Sequence, residues 1–414
     1  MLIDFSVENF RSFKETATLS LERVGRLREE QHDENNIFAT KRPRHELLKS
    51  AVIYGANASG KSNLLLAMRF AVSFVRESVQ GIQPGAKLLV FPFKFSNETQ
   101  KKPSSFEFRF HLSGSDYRYG FEVSNEKVEA EWLYRGERML FERDGSSIEI
   151  SAKFPGGKDL ISKTRDNALF LSACAQFNEP ISTKVINDFF NRFDVISGVQ
   201  DVAYRNFVLE WIEQPDHLMC MVDLLKMAGS DIHDIKVREV DIPQQVREFL
   251  PPQLQNAPDK AKQITTSHHV GDESYELDFQ MESEGTRKLF HMAGPLFNTL
   301  ANGSILVIDE LDARLHPLLV KRLVEMFHCD NNNNAQLIFA THDTNLLSNQ
   351  LFRRDQIWFT EKNFEEATEL YSLAEYKMDD GKKVRQDASY EKEYIRGRYG
   401  AIPFLGDFCF GGGE

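Results

Sequence analysis

The chain has 414 residues, 41% hydrophobic and 27% charged, with a formal net charge of −12. That balance builds buried cores over two or three domains and excludes a chain disordered throughout. So acidic a total also excludes a general polycation, so any contact with DNA or RNA needs a local basic patch. No run approaches the roughly 18 consecutive apolar residues of a membrane span. The start, Met1-Leu2-Ile3-Asp4-Phe5-Ser6, has no basic region ahead of an apolar stretch. Cys174, Cys220, Cys329 and Cys409 lie far apart with no CxxC pair. They read as reduced thiols in a cytoplasmic protein rather than a disulfide frame or a zinc site.

In chain order, Leu2, Ile3, Phe5, Val7, Phe10 and Phe13 mark a half-buried strand running into a turn. Residues 21–48 are polar, and their basic run Lys41-Arg42-Pro43-Arg44-His45 reads as a solvated loop or a phosphate-contacting patch. Ala51-Val52-Ile53-Tyr54 is a short apolar strand, followed by a glycine-containing turn and a helix carrying Leu64, Leu65, Leu66, Met68 and Phe70. Alternation in Phe106–Phe110 and Tyr117–Val123, across Ser113-Gly114-Ser115-Asp116, predicts antiparallel hairpins between Pro92 and Ile150. Residues 180–230 read as helical, with Val185, Ile186, Phe189, Phe190 and Phe193 at helical spacing. Pro251 to Ser267 reads as a polar loop, and Tyr275 to Phe279 returns to strand alternation. There is no repeat of about 20–50 residues and no sustained heptad, which excludes a solenoid and a long coiled coil.

The strongest motif is Gly55-Ala56-Asn57-Ala58-Ser59-Gly60-Lys61-Ser62, a full match to GxxxxGK[ST] between a strand and a helix. The glycines let backbone N–H groups curl around a polyphosphate at a helix N-terminus. Lys61 reaches the β and γ phosphates of ATP, and the Ser62 hydroxyl ligates Mg²⁺. The contacts are taken to extend to Asn63. The second motif is Ser304-Ile305-Leu306-Val307-Ile308-Asp309-Glu310, a buried strand ending in two carboxylates. An Asp-Glu pair there serves equally as a helix N-cap, but with a P-loop upstream Asp309 suits Mg²⁺ and Glu310 suits activation of the attacking water. A third strand, Gln336-Leu337-Ile338-Phe339-Ala340, ends in Thr341-His342-Asp343. His342 either senses the γ-phosphate or caps the next element. Upstream, Ser283-Glu284-Gly285-Thr286 reads as an anion-binding helix start or an ordinary N-cap. His268 and His269 lack partners at metal-ligand spacing. The 33 Phe read mainly as core, with Trp358, Phe404, Phe408 and Phe410 as an alternative partner surface.

This order of motifs resembles an ABC-class ATPase of the SMC/RecF/OLD branch. The opening MLIDFSVENFRSF is similar to the first strand and turn of that branch. The resemblance is closer still to the RloA/AbiLi group of bacterial phage-defence ATPases. It is carried by Ser283–Arg287, Leu311–Pro317, Arg354–Phe359 and Gly397–Pro403, and it covers the first ~70 residues and nearly everything after ~280. The fold it implies is an α/β ABC-type head, a mixed core sheet plus an antiparallel β lobe, with a mostly helical insertion. The expected boundaries are 1–178, 179–266 and 267–414. The resemblance makes Glu310, His342 and Lys61 catalytic, and Ser283 and Gly285 the signature that completes a partner's site. It makes Asp312 a dimer-contacting aspartate and Gln176 the Q-loop glutamine on Mg²⁺, and it brings Arg11 and Ser12 near the nucleotide. The signature departs from the LSGGQ form. The implied activity is slow Mg²⁺-dependent ATP hydrolysis by a homodimer or higher oligomer that regulates a nuclease-like or toxin effector, with contact to DNA or a phage component also compatible. A RecF-like DNA-repair ATPase and an ATP-bound scaffold with little turnover are the alternatives.

Overall fold

The computed structural model describes residues 1–25, 27, 34–40, 45–241, 260–330, 332–378 and 381–403. Residues 41–44 of the basic run, Pro251-Pro252 and the aromatic tail from Phe404 onward lie outside these. The chain forms two compact units. The first holds residues 1–197, 298–312 and 320–414, the second residues 198–297 and 313–319.

The first unit is built on two sheets. One is antiparallel and seven-stranded, from β1 (Leu2–Glu8), β2 (Ala17–Ser20), β6 (Ser104–Leu112), β7 (Ser115–Val123), β8 (Val128–Arg135), β9 (Arg138–Asp144) and β10 (Ser147–Ile150), in the order β10-β9-β8-β7-β6-β1-β2. The hairpins expected here are present, with Phe106 opposite Phe121 and Phe108 opposite Tyr119. A separate pair joins β3 (Ile37–Ala39) to β4 (Glu46–Leu48).

The other sheet has six strands: β5 (Ser50–Gly55), β11 (Phe193–Ser197), β15 (Ile305–Asp309), β16 (Gln336–Ala340), β17 (Ile357–Lys362) and β18 (Thr368–Ser372). Their order is β11-β15-β16-β5-β17-β18. All neighbours are parallel except β17 and β18. β5 and β16 are buried along their whole length, which is why they appear as unbroken apolar runs. Helix α1 (Lys61–Glu77) buries Leu64, Leu65, Met68, Val72 and Val75 in a core shared with both sheets. Phe70 meets Phe106 at 5.1 Å between ring centroids and Phe74 meets Phe121 at 5.4 Å. The phenylalanines are thus chiefly core.

Several segments differ from expectation. Ala168-Leu169-Phe170-Leu171 opens helix α2 (Phe170–Gln176) instead of ending a strand. The buried Glu131 carboxylate accepts from the Phe170 and Leu171 amides at 2.6 and 2.9 Å, satisfying the start of the helix. The expected insertion at 179–266 is also divided differently. Helix α3 (Pro180–Asp188) and β11 belong to the first unit, with Phe193 opening a core strand.

The second unit contains helices α4 (Arg205–Trp211) and α5 (Pro215–Met227). It also holds an antiparallel sheet of β12 (Ile232–Asp241), β13 (Lys260–Val270) and β14 (Glu273–Asp278). These strands are largely exposed, and their cross-strand pairs are ionic: Lys236–Glu276 at 2.8 Å and Lys260–Glu239 at 3.3 Å. β12 and β13 bury Ile232, Ile235 and Ile264 but sustain no apolar alternation, and residues 260–267, expected as loop, lie in β13. Further along the chain are the helices α6 (Glu284–Asn302), α7 (Pro317–Phe327) and α8 (Tyr390–Ile395). Among the described residues no helix is long and apolar enough to cross a membrane.

Candidate nucleotide site

The loop from Gly55 to Lys61 leaves β5 and enters α1 with three unusual backbone angles. Gly55 has φ 156°, Ala58 62° and Gly60 116°. A Cβ on Gly55 would stand 2.5 Å from the Thr360 carbonyl oxygen, and one on Gly60 would overlap the Thr368 side chain. Both positions therefore require glycine. Asn57 and Ala58 are exposed at the loop tip, whereas Ser59, Gly60 and Lys61 are buried.

Two hydroxyl relays hold this loop, and their outer members come from the far end of the chain. Ser59 Oγ lies 2.6 Å from Thr360 Oγ1, which donates to the Tyr54 carbonyl at 3.4 Å. Thr368 Oγ1 donates to the Ser59 carbonyl at 2.8 Å and lies 2.8 Å from Ser12 Oγ, to which Asn63 Nδ2 donates at 2.8 Å. Each hydroxyl has one proton to give. The donor order is therefore Asn63 to Ser12 to Thr368 to Ser59 O, and Ser59 to Thr360 to Tyr54 O. The structure thus brings Ser12 and Asn63 to the loop. Thr360 and Thr368 were not apparent from sequence, because a threonine in a strand reads as β propensity and nothing local ties it to residue 59.

The carboxylate end forms across the sheet from β15 and β16. Lys61 Nζ donates to the Gly55 and Ala56 carbonyls at 2.7 and 3.1 Å. Burial pushes this ammonium down to about 8, against the opposing pull of Asp309, Glu310 and Asp312. Burial also lowers His342, followed by the charge of Lys61, with Asp312, Glu310 and Asp309 acting the other way. The five groups therefore occupy one electrostatic neighbourhood. Asp312 Oδ2 accepts from the His342 amide at 3.3 Å, and the Leu311 amide donates to the Ala340 carbonyl at 3.2 Å, tying the two strand ends together. Glu310 has φ 55°, a left-handed conformation rare for a side chain of this kind and frequent where function dictates the backbone.

Asp309 Oδ1, Asp312 Oδ1 and Asp343 Oδ2 are buried with no hydrogen-bond partner. Buried acceptors of this kind call for a cation or a donor. An oxygen donor set of Ser62 and Asp309 suits Mg²⁺, which takes one or two protein oxygens and completes its shell with water and phosphate. The residues present fit the ion. Bound there, it would neutralise developing phosphate charge.

Other expected residues fall elsewhere. Arg11 has φ 51° and an exposed side chain, with its guanidinium 5.3 Å from the Phe91 ring centre. It stacks on an aromatic ring beside the Ser12 relay. Gln176 is not brought to the loop. It is exposed at the end of α2, and Ser172, one turn earlier, donates to the carbonyl of Val75 in the last turns of α1. Val75 lies fourteen residues along that helix from Lys61, which is about 21 Å at 1.5 Å per residue. Glutamine at that distance is no ligand for a metal at Ser62.

The Ser283 turn lies in the second unit. Ser283 Oγ accepts from the Thr286 amide at 3.1 Å and caps α6. A Cβ on Gly285 would approach the Arg314 carbonyl to 3.1 Å, and Lys288 donates to the Ala313 carbonyl. The helix start is thus docked on the turn that follows Asp312 in the chain. His268 bonds Glu282 at 2.7 Å, and the His233 and His269 rings lie 4.3 Å apart.

Residues 50–348 match the family described as "AAA domain, putative AbiEii toxin, Type IV TA system", and the chain belongs to that family. No curated protein matches the sequence. Among solved structures, the SMC head domain from Thermotoga maritima aligns over 90% of this chain and 98% of its own, at 12% identity and a TM-score of 0.42. An Smc head domain with an extended coiled coil, bound to the C-terminal domain of ScpA and derived from Pyrococcus furiosus, aligns over 90% and 96%, at 12% identity and a TM-score of 0.38.

Proposed function

We propose that this AAA-family chain binds and hydrolyses Mg²⁺·ATP and uses the cycle to regulate an effector protein, of nuclease or toxin type, in bacterial anti-phage defence. The single observation that carries the ATPase reading is the gathering of Lys61, Asp309, Glu310, Asp312 and His342 around a P-loop braced by Thr360 and Thr368. Loop amides and Lys61 hold the phosphates. Ser62 and Asp309 hold the ion. Glu310 orients and deprotonates the attacking water, and His342 contacts the γ-phosphate, with its proton set by the balance of Lys61 and the three carboxylates.

Completion of the site by a second copy rests on the Ser283 turn. Ser283 caps an exposed helix start, where backbone N–H groups and the helix dipole favour an anion. In the proposed homodimer, or a higher oligomer, Ser283 and Gly285 of one copy cover the γ-phosphate held by the other. The defence role rests on the RloA/AbiLi-like motifs and on the toxin–antitoxin wording of the matched family. A DNA-clamping ATPase is the competing outcome.

The test is ATP turnover and native mass of the wild type and Glu310→Gln, followed by co-purification from the native operon context. Glu310→Gln should lose turnover by at least ~100-fold while keeping ATP binding and trapping the dimer. Wild-type turnover by this variant would remove Glu310 from the mechanism. A nucleotide-dependent effector in the purified complex supports the regulatory reading, whereas a dimer that instead binds DNA only with ATP replaces it.

A further inference from the structure

Three segments converge on a cluster that the ATPase reading leaves unused. His111 is on β6 and Asp116 on β7, and the two are register partners next to the hairpin turn, so their side chains share one face. His45, just before β4, joins them. His111 Nδ1 lies 2.8 Å from Asp116 Oδ1, and His45 Nε2 lies 2.8 Å from Asp116 Oδ2. The other ring nitrogen of His45, Nδ1, lies 2.9 Å from Glu22 Oε1. The three candidate donor atoms all fall within 4.8 Å of one another.

We propose that His45, His111 and Asp116 form a binding site for one Zn²⁺ ion, with Glu22 holding the orientation of His45. Two imidazoles and one carboxylate are a common three-ligand zinc set, with a fourth position for water. A tetrahedral ion with bonds of about 2.0–2.1 Å separates its ligand atoms by about 3.3 Å. The two separations of 2.8 Å must open by about half an ångström, and the wider one within the 4.8 Å set must close by up to about 1.5 Å.

The placement of Glu22 is the second line of argument. A histidine that ligates zinc through one nitrogen commonly donates its other N–H to a carboxylate, which fixes the tautomer. Without an ion, an imidazolium at His45 donates to both Glu22 and Asp116. A divalent cation would take the place of the Nε2 proton, with Nδ1–H still donated to Glu22. Asp116 is also open to solvent on one side, where it lines a cleft of about 540 Å³. The site would staple the segment before β4 to the tip of the antiparallel sheet, two parts joined through residues 65 or more apart in sequence. That separation is why no spacing motif announces it.

The experiment uses the full chain, stripped with EDTA and dialysed into excess Mg²⁺ so that the phosphate site is saturated. It is titrated with Zn²⁺ by calorimetry and, in parallel, with Co²⁺ by visible absorption. The wild type should bind one more equivalent of Zn²⁺ than His45→Gln or Asp116→Asn, and only the wild type should give the intense visible bands of four-coordinate Co²⁺. Zn²⁺ should raise the melting temperature of the wild type more than that of either variant. Asp116→Asn, at the more accessible ligand, guards against a variant that fails to fold. Equal stoichiometry in wild type and both variants would place any bound zinc elsewhere, for instance on the exposed Cys220 or Cys329, and overturn the proposal. Absence of binding by the wild type would overturn it too, leaving a hydrogen-bonded His–Asp–His chain with no ion.

Discussion

Thr368→Val tests whether the phosphate loop is held from β18. Valine keeps the shape of threonine and removes only the hydroxyl, so no cavity or new clash against Gly60 is created. Two buried groups lose a partner: the Ser59 carbonyl, which accepts at 2.8 Å, and Ser12 Oγ, also at 2.8 Å. Ser12 Oγ still accepts from Asn63, so the cost is chiefly that of the Ser59 carbonyl losing its side-chain donor, about 1–3 kcal/mol. Because the relay terminates on the loop itself, part of that cost falls on the loop's phosphate-ready conformation. The apparent ATP affinity then drops by the fraction of molecules in which that conformation survives. A loss of about 1.4 kcal/mol there is tenfold in Kd. The assays are urea unfolding and titration with a fluorescent ATP analogue, on Thr368→Val and Thr368→Ser. Serine retains the oxygen and should bind nucleotide within about threefold of wild type, whereas valine should bind at least about tenfold more weakly. If valine lowers stability by the full amount and leaves Kd untouched, the relay supports the fold alone and the reasoning is wrong.

Three further outcomes follow from other parts of the molecule. Burial holds Lys61 at about 8, and bound phosphate restores its proton. ATP binding at pH 8 should therefore take up about half a proton and almost none at pH 6.5, read from calorimetry in buffers of different ionisation enthalpy; a heat independent of buffer at pH 8 contradicts it. Asp4, buried against the half-exposed Arg109 at 2.7 Å, is lifted by burial from 3.8 to about 6. The folded state then keeps a proton that the unfolded chain releases, and stability falls as pH rises through that window, by at most about 3 kcal/mol. Asp4→Asn should exceed wild type in urea midpoint at pH 8 and lose the advantage by pH 4; a constant deficit at both would show that the Arg109 bond dominates. Gln176→Ala should leave turnover and nucleotide affinity unchanged, and a fivefold loss would refute its placement at the end of α2.

What could be read from sequence was what is local. The P-loop, the Asp309-Glu310 strand end and the His342 strand end each sit inside a few consecutive residues whose periodicity marks a buried parallel strand. The hairpins of the antiparallel sheet declared themselves through alternating phenylalanines for the same reason. Gln176 was misplaced because an apolar run looks the same at a strand and at a buried helix start. The deciding partner, Glu131, lies 39 residues upstream of Phe170. Of the three-stranded sheet of the second unit, β14 was legible in the alternation at Tyr275–Phe279, whereas β12 and β13 were missed because their exposed, ion-paired stretches break any apolar alternation. Thr360 and Thr368 show the limit most plainly, since each acts on a residue about 300 positions away.

Those two threonines also bear on how the protein comes into being. A ribosome adding about 5–20 residues per second needs roughly 15–60 s to travel from Ser59 to Thr368. During that interval the nascent P-loop has neither hydroxyl brace, and its strand β5 has yet to receive β16 and β17 on either side. The nucleotide pocket is therefore among the last features to mature. A chain interrupted between α1 and β17 contains the complete phosphate-binding motif and lacks both hydroxyl braces that hold its loop.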